Sequence, residues 1–300
     1  MKMSILKSRV ALPALVLSAL GAFGLQPASA QSVLLGYWNP VFDEDQPERI
    51  PGPDQHEYGG LPINQAMRER GAAWDPSLLT EPEHQCIPHP STYGIRGVGI
   101  LRIWEDLEPR TQKQKEIETY IVWEAQHRHI YMDDSVPHPA AWAPRTWQGF
   151  SRGHWEGDQL VVHTDHLKVG WIRRNGLALS DRASSDERYI RHGDVMTHIL
   201  MVSDPVYLTE PMIKTTGYRL GYNTAIGAYP CRPATEIPRD RGIVPHHMPG
   251  TDDMDHEFAD RYNLPFAETE GGIETALPEA SDRIAAWRAQ KAAQKPGKKK

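Results

Sequence analysis

Residues 149–176, GFSRGHWEGDQLVVHTDHLKVGWIRRNG, bring together groups able to move protons and hold anions. An imidazole beside a carboxylate can take up and return a proton near neutral pH. His163 and Asp165 are therefore the first candidates for acid–base work, with His198 further along as a third. A guanidinium fork matches a planar carboxylate or phenolate, so Arg152, Arg173 and Arg174 are candidate substrate contacts. Neighbouring arginines point in different directions, which lets at most one of Arg173 and Arg174 line a pocket. Trp171 and Tyr189 complete the expected binding set.

Position within a hairpin decides which of these groups can meet. Gly157-Asp158, flanked by strand-like runs, is a two-residue hairpin turn. It sets Trp155 opposite Leu160, Gly153 opposite Val162 and Ser151 opposite Thr164 on one face. The other face carries His154 with Val161, Arg152 with His163, and Phe150 with Asp165. Ser151 lies in a G-x-S-x-G frame, but a nucleophile elbow needs a strand turning sharply into a helix. Here the strand continues, and Ser151 projects away from His163 and Asp165, so the match is read as chance. Chemistry at the histidine row requires that row to face an enclosed hollow; otherwise the tryptophan row fills the core. In ERYIRHGDVMTHIL, a turn centred on Gly193-Asp194 sets Tyr189 opposite His198, whereas His192-Gly193 at the centre exchanges the faces.

A second constellation is His127-x-His129, two imidazoles on one face of a strand, a spacing that suits a metal. The third ligand would come from elsewhere, with His138, His163 and His198 available. His84 and His89, around Cys86 in PEHQCIPHP, read as loop caps.

These residues need a scaffold, and the runs that carry them are short, rich in β-branched and aromatic residues, and broken at Gly, Asp and Pro. Strands are expected at 99–104, 118–123, 128–132, 146–155, 159–164, 186–191, 195–202 and 213–220. About eight strands without intervening helical patterns indicate a single antiparallel β-barrel of calycin or lipocalin type, or a sandwich. The bracket DPVYLTEP reads as an edge or a crossover at the rim. Before the strands, 31–92 reads as an extended arm with a short helix near 62–71. The barrel domain is set at 93–230, followed by an irregular segment and a C-terminal helix over 281–294 with Ser281 as its N-cap.

Lys2, Lys7 and Arg9, an apolar run from Val10 to Leu25 and Ala28-Ser29-Ala30 have the layout of a secretory signal, 1–30, leaving a chain that starts at Gln31. In an oxidising compartment the two cysteines, Cys86 and Cys231, are expected to form a disulfide. Without the signal, 30 basic side chains face 39 acidic ones, a net charge of −9, and the Lys298-Lys299-Lys300 tail is the single basic cluster. That balance excludes a nucleic-acid footprint. No further apolar run is long enough for a membrane span.

From PEHQCIPHP through RHIYMD, PHPAAWAPRTWQGFSRGHWEGDQLVV, HLKVGWIRRNG and ERYIRHGD to DPVYLTEP, the chain resembles a family of exported bacterial β-rich proteins of unassigned activity. The W-E-G-D and D-P-x-Y-L-T-E-P pieces are its specific motifs. The resemblance covers most of 80–215 and implies export and a β-rich, calycin-like fold, with no catalytic residues to carry over. Relatives often have Asp-Gly-Arg-Pro-His-Pro where this chain has Asp133-Asp134-Ser135-Val136-Pro137-His138-Pro139, and an acidic or hydroxyl residue where His163 stands.

With no dinucleotide fingerprint or phosphate loop, no organic cofactor is expected. The leading expectation is an exported barrel enzyme of lyase, hydratase or isomerase type acting on a small, partly apolar aromatic or terpenoid compound. Alternatives are a metal-dependent barrel enzyme using His127 and His129, with His138 as a possible further ligand, or a periplasmic small-molecule binding protein. A third is an interaction protein whose barrel is filled by its own side chains. A ligand barrel needs a cavity of roughly 300 Å³ or more. The oligomeric state is left open.

Overall fold

A computed structural model describes residues 34–234, 240, 243, 247–251 and 254–294; the signal expected over 1–30 and the lysine tail lie outside them. Nine strands close into one barrel: β1 (Gly36–Pro40), β2 (Leu101–Leu107), β3 (Gln114–Ile121), β4 (Gln126–Tyr131), β5 (Phe150–Glu156), β6 (Gln159–Asp165), β9 (Ser184–His192), β10 (Val195–Ser203) and β11 (Met212–Leu220). A separate two-stranded ladder pairs β7 (Gly170–Trp171) with β8 (Ala178–Leu179). The expected barrel and all eight expected strands are present, with ends shifted where flanking residues join the ladders.

The ninth strand is β1, inside the segment read as an arm. It pairs with β11 on one side and β2 on the other, and so closes the sheet. Gly36-Tyr37-Trp38-Asn39-Pro40 is short, and Pro40 withholds a ladder donor, so its strand character comes from its two neighbours. The barrel therefore begins well before residue 93. All neighbouring strands run antiparallel except β4 and β5, which pair in parallel over Ile130–Ser151 and Tyr131–Arg152. Parallel neighbours need a long connection, and residues 132–149, with three prolines, supply it without regular structure.

The hairpin register is the one the turn dictates, from Phe150 opposite Asp165 to Glu156 opposite Gln159. The second hairpin pairs Tyr189 with His198 and His192 with Val195, so Gly193-Asp194 forms its turn. Facing differs from the functional expectation. Ser151, Gly153, Leu160, Val162 and Thr164 point inward, while Arg152, His154, His163 and Asp165 point outward. Gly153 is required by this arrangement, since a Cβ there would lie 2.7 Å from Ile130 Cγ2 and 2.8 Å from Met132 Sδ.

The lumen is filled in layers. Trp38, Ile103, Ile117, Ile130, Leu160, Val162, Met196 and Tyr218 form an apolar layer at the end with the tight turns. Above it lies a polar layer of Thr119, Arg128, Ser151, Thr164, Glu187, His198 and Thr216, all buried. Leu200, Val202 and Met212 then pack against Met67, Leu177 and Leu179 of the capping segments. The cavity beside Arg128 measures about 10 Å³, room for one water molecule at most. The polar layer around Arg128 is thus filled by side chains, with no room beside it for a ligand.

A helix over Gln65–Ala72 caps one end, its first turn closed by Asn64 Oδ1 accepting from Met67 N–H at 3.0 Å. The C-terminal helix spans Pro278–Gln294, so Ser281 is internal and the proline occupies the first turn, where its missing donor costs nothing. No helix among the described residues is long and apolar enough to cross a membrane. Cys86 and Cys231 are joined in a disulfide, Cα–Cα 5.9 Å, which ties the segment after β11 to the one before β2.

His56 pins the C-terminal segment. Its Nδ1 reaches Glu270 Oε1 at 2.5 Å and its Nε2 reaches Asp255 Oδ1 at 3.1 Å. Burial alone would lower the His56 pKa, but the hydrogen bonds and charges of Glu270 and Asp255 outweigh it and raise it. A raised folded-state pKa stabilises the fold below the unfolded value near 6.5, and that contribution is lost as pH rises through the folded value. The thermal midpoint gap between wild type and His56→Asn, a residue suited to the left-handed backbone there (φ 60°), should narrow from pH 6 to pH 9. A gap that stays constant with pH would sink the charged pin.

Candidate functional site

The residues singled out by type and spacing are dispersed. His163 lies on the outer face, about half exposed, with Nδ1 2.8 Å from Asp186 Oδ1. Asp165 accepts instead from His138 Nε2 at 2.8 Å. His198 lies inside the barrel, its Nε2 2.9 Å from Glu187 Oε2, and Tyr189 donates to the same oxygen at 3.1 Å. No cavity unites His163, Asp165 and His198, because the first two and the third sit on opposite sides of the sheet. Ser151 lies on the face opposite His163 and Asp165, as expected, and that face is the inward one, where it accepts from Arg128 Nε at 3.0 Å.

Both Arg173 and Arg174 are buried. Arg173 clasps Glu48 through Nε at 2.7 Å and Nη2 at 2.6 Å, and donates to the Glu57 carbonyl. Arg174 forks onto Glu83, with Nη2 3.1 Å from Oε2. Two paired guanidinium groups have no fork left for a substrate anion. Trp171 packs edge-on against Trp74 at 6.2 Å, in the cap. Arg152 donates to the Asp133 carbonyl and, at 2.9 Å, to that of Val136. With the His138–Asp165 pair it clamps the connection 132–149 against the barrel.

That clamp creates a cleft of about 600 Å³ on the outside of the barrel. It lies between the outer face of β4 and the connection, lined by Tyr131, Trp147, Phe150, His166 and the prolines 137, 139 and 144. His127 and His129 line it too, and there the second constellation is completed. On β3, Glu118 stands directly opposite His129, and Trp104 on β2 stands opposite Glu118. Glu118 Oε2 is 2.6 Å from His127 Nε2 and 3.8 Å from His129 Nδ1. One ligand atom of each residue lies within 4.8 Å of the others, near the separation of about 3.4 Å expected around a tetrahedral ion. Among the described residues this is the one such group of three.

The cluster is braced from behind. Trp104 Nε1 donates to Glu118 Oε1 at 3.1 Å, which leaves Oε2 for the imidazoles. The same indole stacks on His127 at 5.2 Å and 22°. Glu116 Oε2 accepts from His129 Nδ1 at 2.9 Å, through a proton that this nitrogen must give up before it can bind an ion. Carboxylates and donors behind ligating side chains are the partners that fix their orientation in metal centres. From His129 the aromatic row continues to Tyr131, 6.4 Å away, to Phe150 at 5.2 Å and to His138 at 4.9 Å.

Neither family models nor curated proteins nor solved structures match this chain.

His127 and His129 are thus joined by Glu118, whereas His138, considered as a third ligand, is engaged by Asp165. Glu118 carried a readable signal: Glu116-x-Glu118 alternates in the strand preceding the histidines, and pairing β3 with β4 through a tight connection puts it opposite His129. Placing the end of that strand at Trp123 hid the turn, because Trp123, Glu124 and Ala125 form a helical turn with Glu124 and Ala125 at positive φ.

Proposed function

We propose that the protein is an exported, metal-dependent barrel enzyme whose site is the outer cleft. Glu118, His127 and His129 would hold a divalent transition metal, and a small, partly apolar aromatic compound would lie along Tyr131, Phe150 and Trp147. The observation that carries this reading is the convergence of two imidazoles and a carboxylate, oriented by Trp104, at the edge of a cleft walled by aromatic rings and prolines. Two histidines and one carboxylate leave further coordination positions free. Bound there, the ion would supply Lewis acidity for a hydration, elimination or isomerisation. The chain's own residues do the rest: Trp104 orients Glu118 and His127, the aromatic row takes a ring face, and Arg152 and Asp165 hold the wall in place. Among the described residues, the cleft lining contains no lysine or arginine, which favours an uncharged substrate body. Export rests on the signal-like leader, the family resemblance and the disulfide.

Calorimetric titration of the chelator-stripped full chain with zinc tests the reading. Saturable binding of one ion per chain is expected, micromolar or tighter and reversed by chelator. Absence of saturable binding would overturn it. Mass spectrometry of co-purifying compounds, before and after incubation with the metal-loaded protein, separates turnover from simple binding.

A further inference from the structure

A second group of buried side chains surrounds Lys214, which points inward from β11 near the barrel's capped end. Four cations, Arg49, Arg96, Arg173 and Lys214, meet three carboxylates here, Glu44, Asp45 and Glu48. Arg49 Nε is 2.5 Å from Asp45 Oδ1, and Arg96 lies 4.0 Å from Asp45 and 3.7 Å from Glu48. Glu48 is taken by the Arg173 fork. Lys214 Nζ is 3.4 Å from Glu48 Oε2 and donates to the Ile172 carbonyl at 2.5 Å. Four cations facing three carboxylates leave one positive charge in excess, and Glu48 Oε2, the oxygen that Arg173 does not hold, is shared by Lys214 and Arg96. Guanidinium groups do not release protons in proteins, so the ammonium is the group that can relieve the excess.

Lys214 also lines a cavity of about 330 Å³, together with Pro47, Leu61, Met212 and Ile213, with Glu44, Glu48 and Arg96 as its charged neighbours. We propose that this cavity is a second site, in which the Lys214 amine condenses with a small aldehyde or ketone carrying an apolar body. The neutral Nζ adds to the carbonyl carbon, and the carbinolamine takes up a proton and expels water. The product is a protonated imine, with Glu48 as its counterion and no change of oxidation state. Desolvated lysines beside other cations are the amines that do this chemistry near neutral pH. Burial lowers the Lys214 ammonium, Glu48 opposes it, Arg96 and Arg173 add to it, and the outcome is a pKa of about 8. A neutral Nζ keeps an N–H for the Ile172 carbonyl and frees its lone pair.

The inference is independent of the metal site, so the experiment is run on the full chain with chelator present. Benzaldehyde and sodium cyanoborohydride trap an imine as a benzyl amine, which peptide mass mapping locates. Lys214 should label about tenfold faster at pH 8 than the exposed Lys113 and Lys168, with a half-maximal rate near pH 8. Lys214→Arg, which keeps the cation, should remove the fast phase and leave the slow one. Labelling of Lys113 and Lys168 with Lys214 unmodified, or modified no faster than they are, would overturn the proposal.

Discussion

Glu187→Ala is expected to lower the unfolding free energy by about 3–5 kcal/mol, because it strips the counterion from a charge the barrel encloses. Arg128 is 3 % exposed and binds Glu187 with both arms, at 2.6 and 3.0 Å. His198 and Tyr189 address the same carboxylate, while Thr164 and Ser151 take the remaining guanidinium donors. Burial would raise the Glu187 pKa, but the charge and hydrogen bonds of Arg128, with His198, hold it far below the ordinary carboxylate range. A depressed folded-state pKa stabilises the fold above the unfolded value near 4.3, and the contribution disappears as pH falls through the folded value. Urea unfolding should therefore show a large deficit for Glu187→Ala at pH 7, and a gap between wild type and Glu187→Gln that closes below about pH 4. A Glu187→Ala deficit under about 1 kcal/mol would refute the idea that this pair carries the polar layer.

The second large effect concerns the cleft. Alanine at His127 or at His129 should weaken zinc binding by at least about 100-fold, since each removes one of three ligands. Trp104→Phe keeps the stacking surface over His127 and removes only the donor to Glu118. It should cost about 10–100-fold, the usual effect of losing an orienting partner. The two imidazoles are 41 % and 47 % exposed, so the histidine variants should unfold within about 0.5 kcal/mol of wild type when the metal is chelated. Unchanged zinc affinity in both histidine variants would remove the site. An unchanged Trp104→Phe would instead show that Glu118 needs no support.

Much of the scaffold could be read from residue order. Turn chemistry at Gly157-Asp158 set the β5–β6 register, and alternation within each run located eight strands, because both depend on a few neighbouring residues. The same locality explains the omissions. β1 has little strand character of its own and is held by residues far along the chain, and Glu118 becomes a neighbour of His129 only across a connection distorted at Glu124 and Ala125. Arg173 and Arg174 looked like anchors for a foreign anion because their partners, Glu48 and Glu83, lie far upstream.

By itself, then, the order of residues determined an antiparallel β-sheet protein of barrel or sandwich type, the pairing within the β5–β6 hairpin, the expectation of a cysteine bridge and the sharing of one face by His127 and His129. Which face of each strand met the interior was a tertiary decision. A strand offers two rows of side chains, and only the closing of the sheet, with Leu160, Val162 and Ile130 competing for the lumen against His163 and Asp165, settles which row stays dry. Burying the apolar row around one shared, internally neutralised Arg128–Glu187 pair costs less desolvation than enclosing the histidine row. The chemistry was thereby displaced to the outside, where the connection 132–149 folds back to wall a cleft.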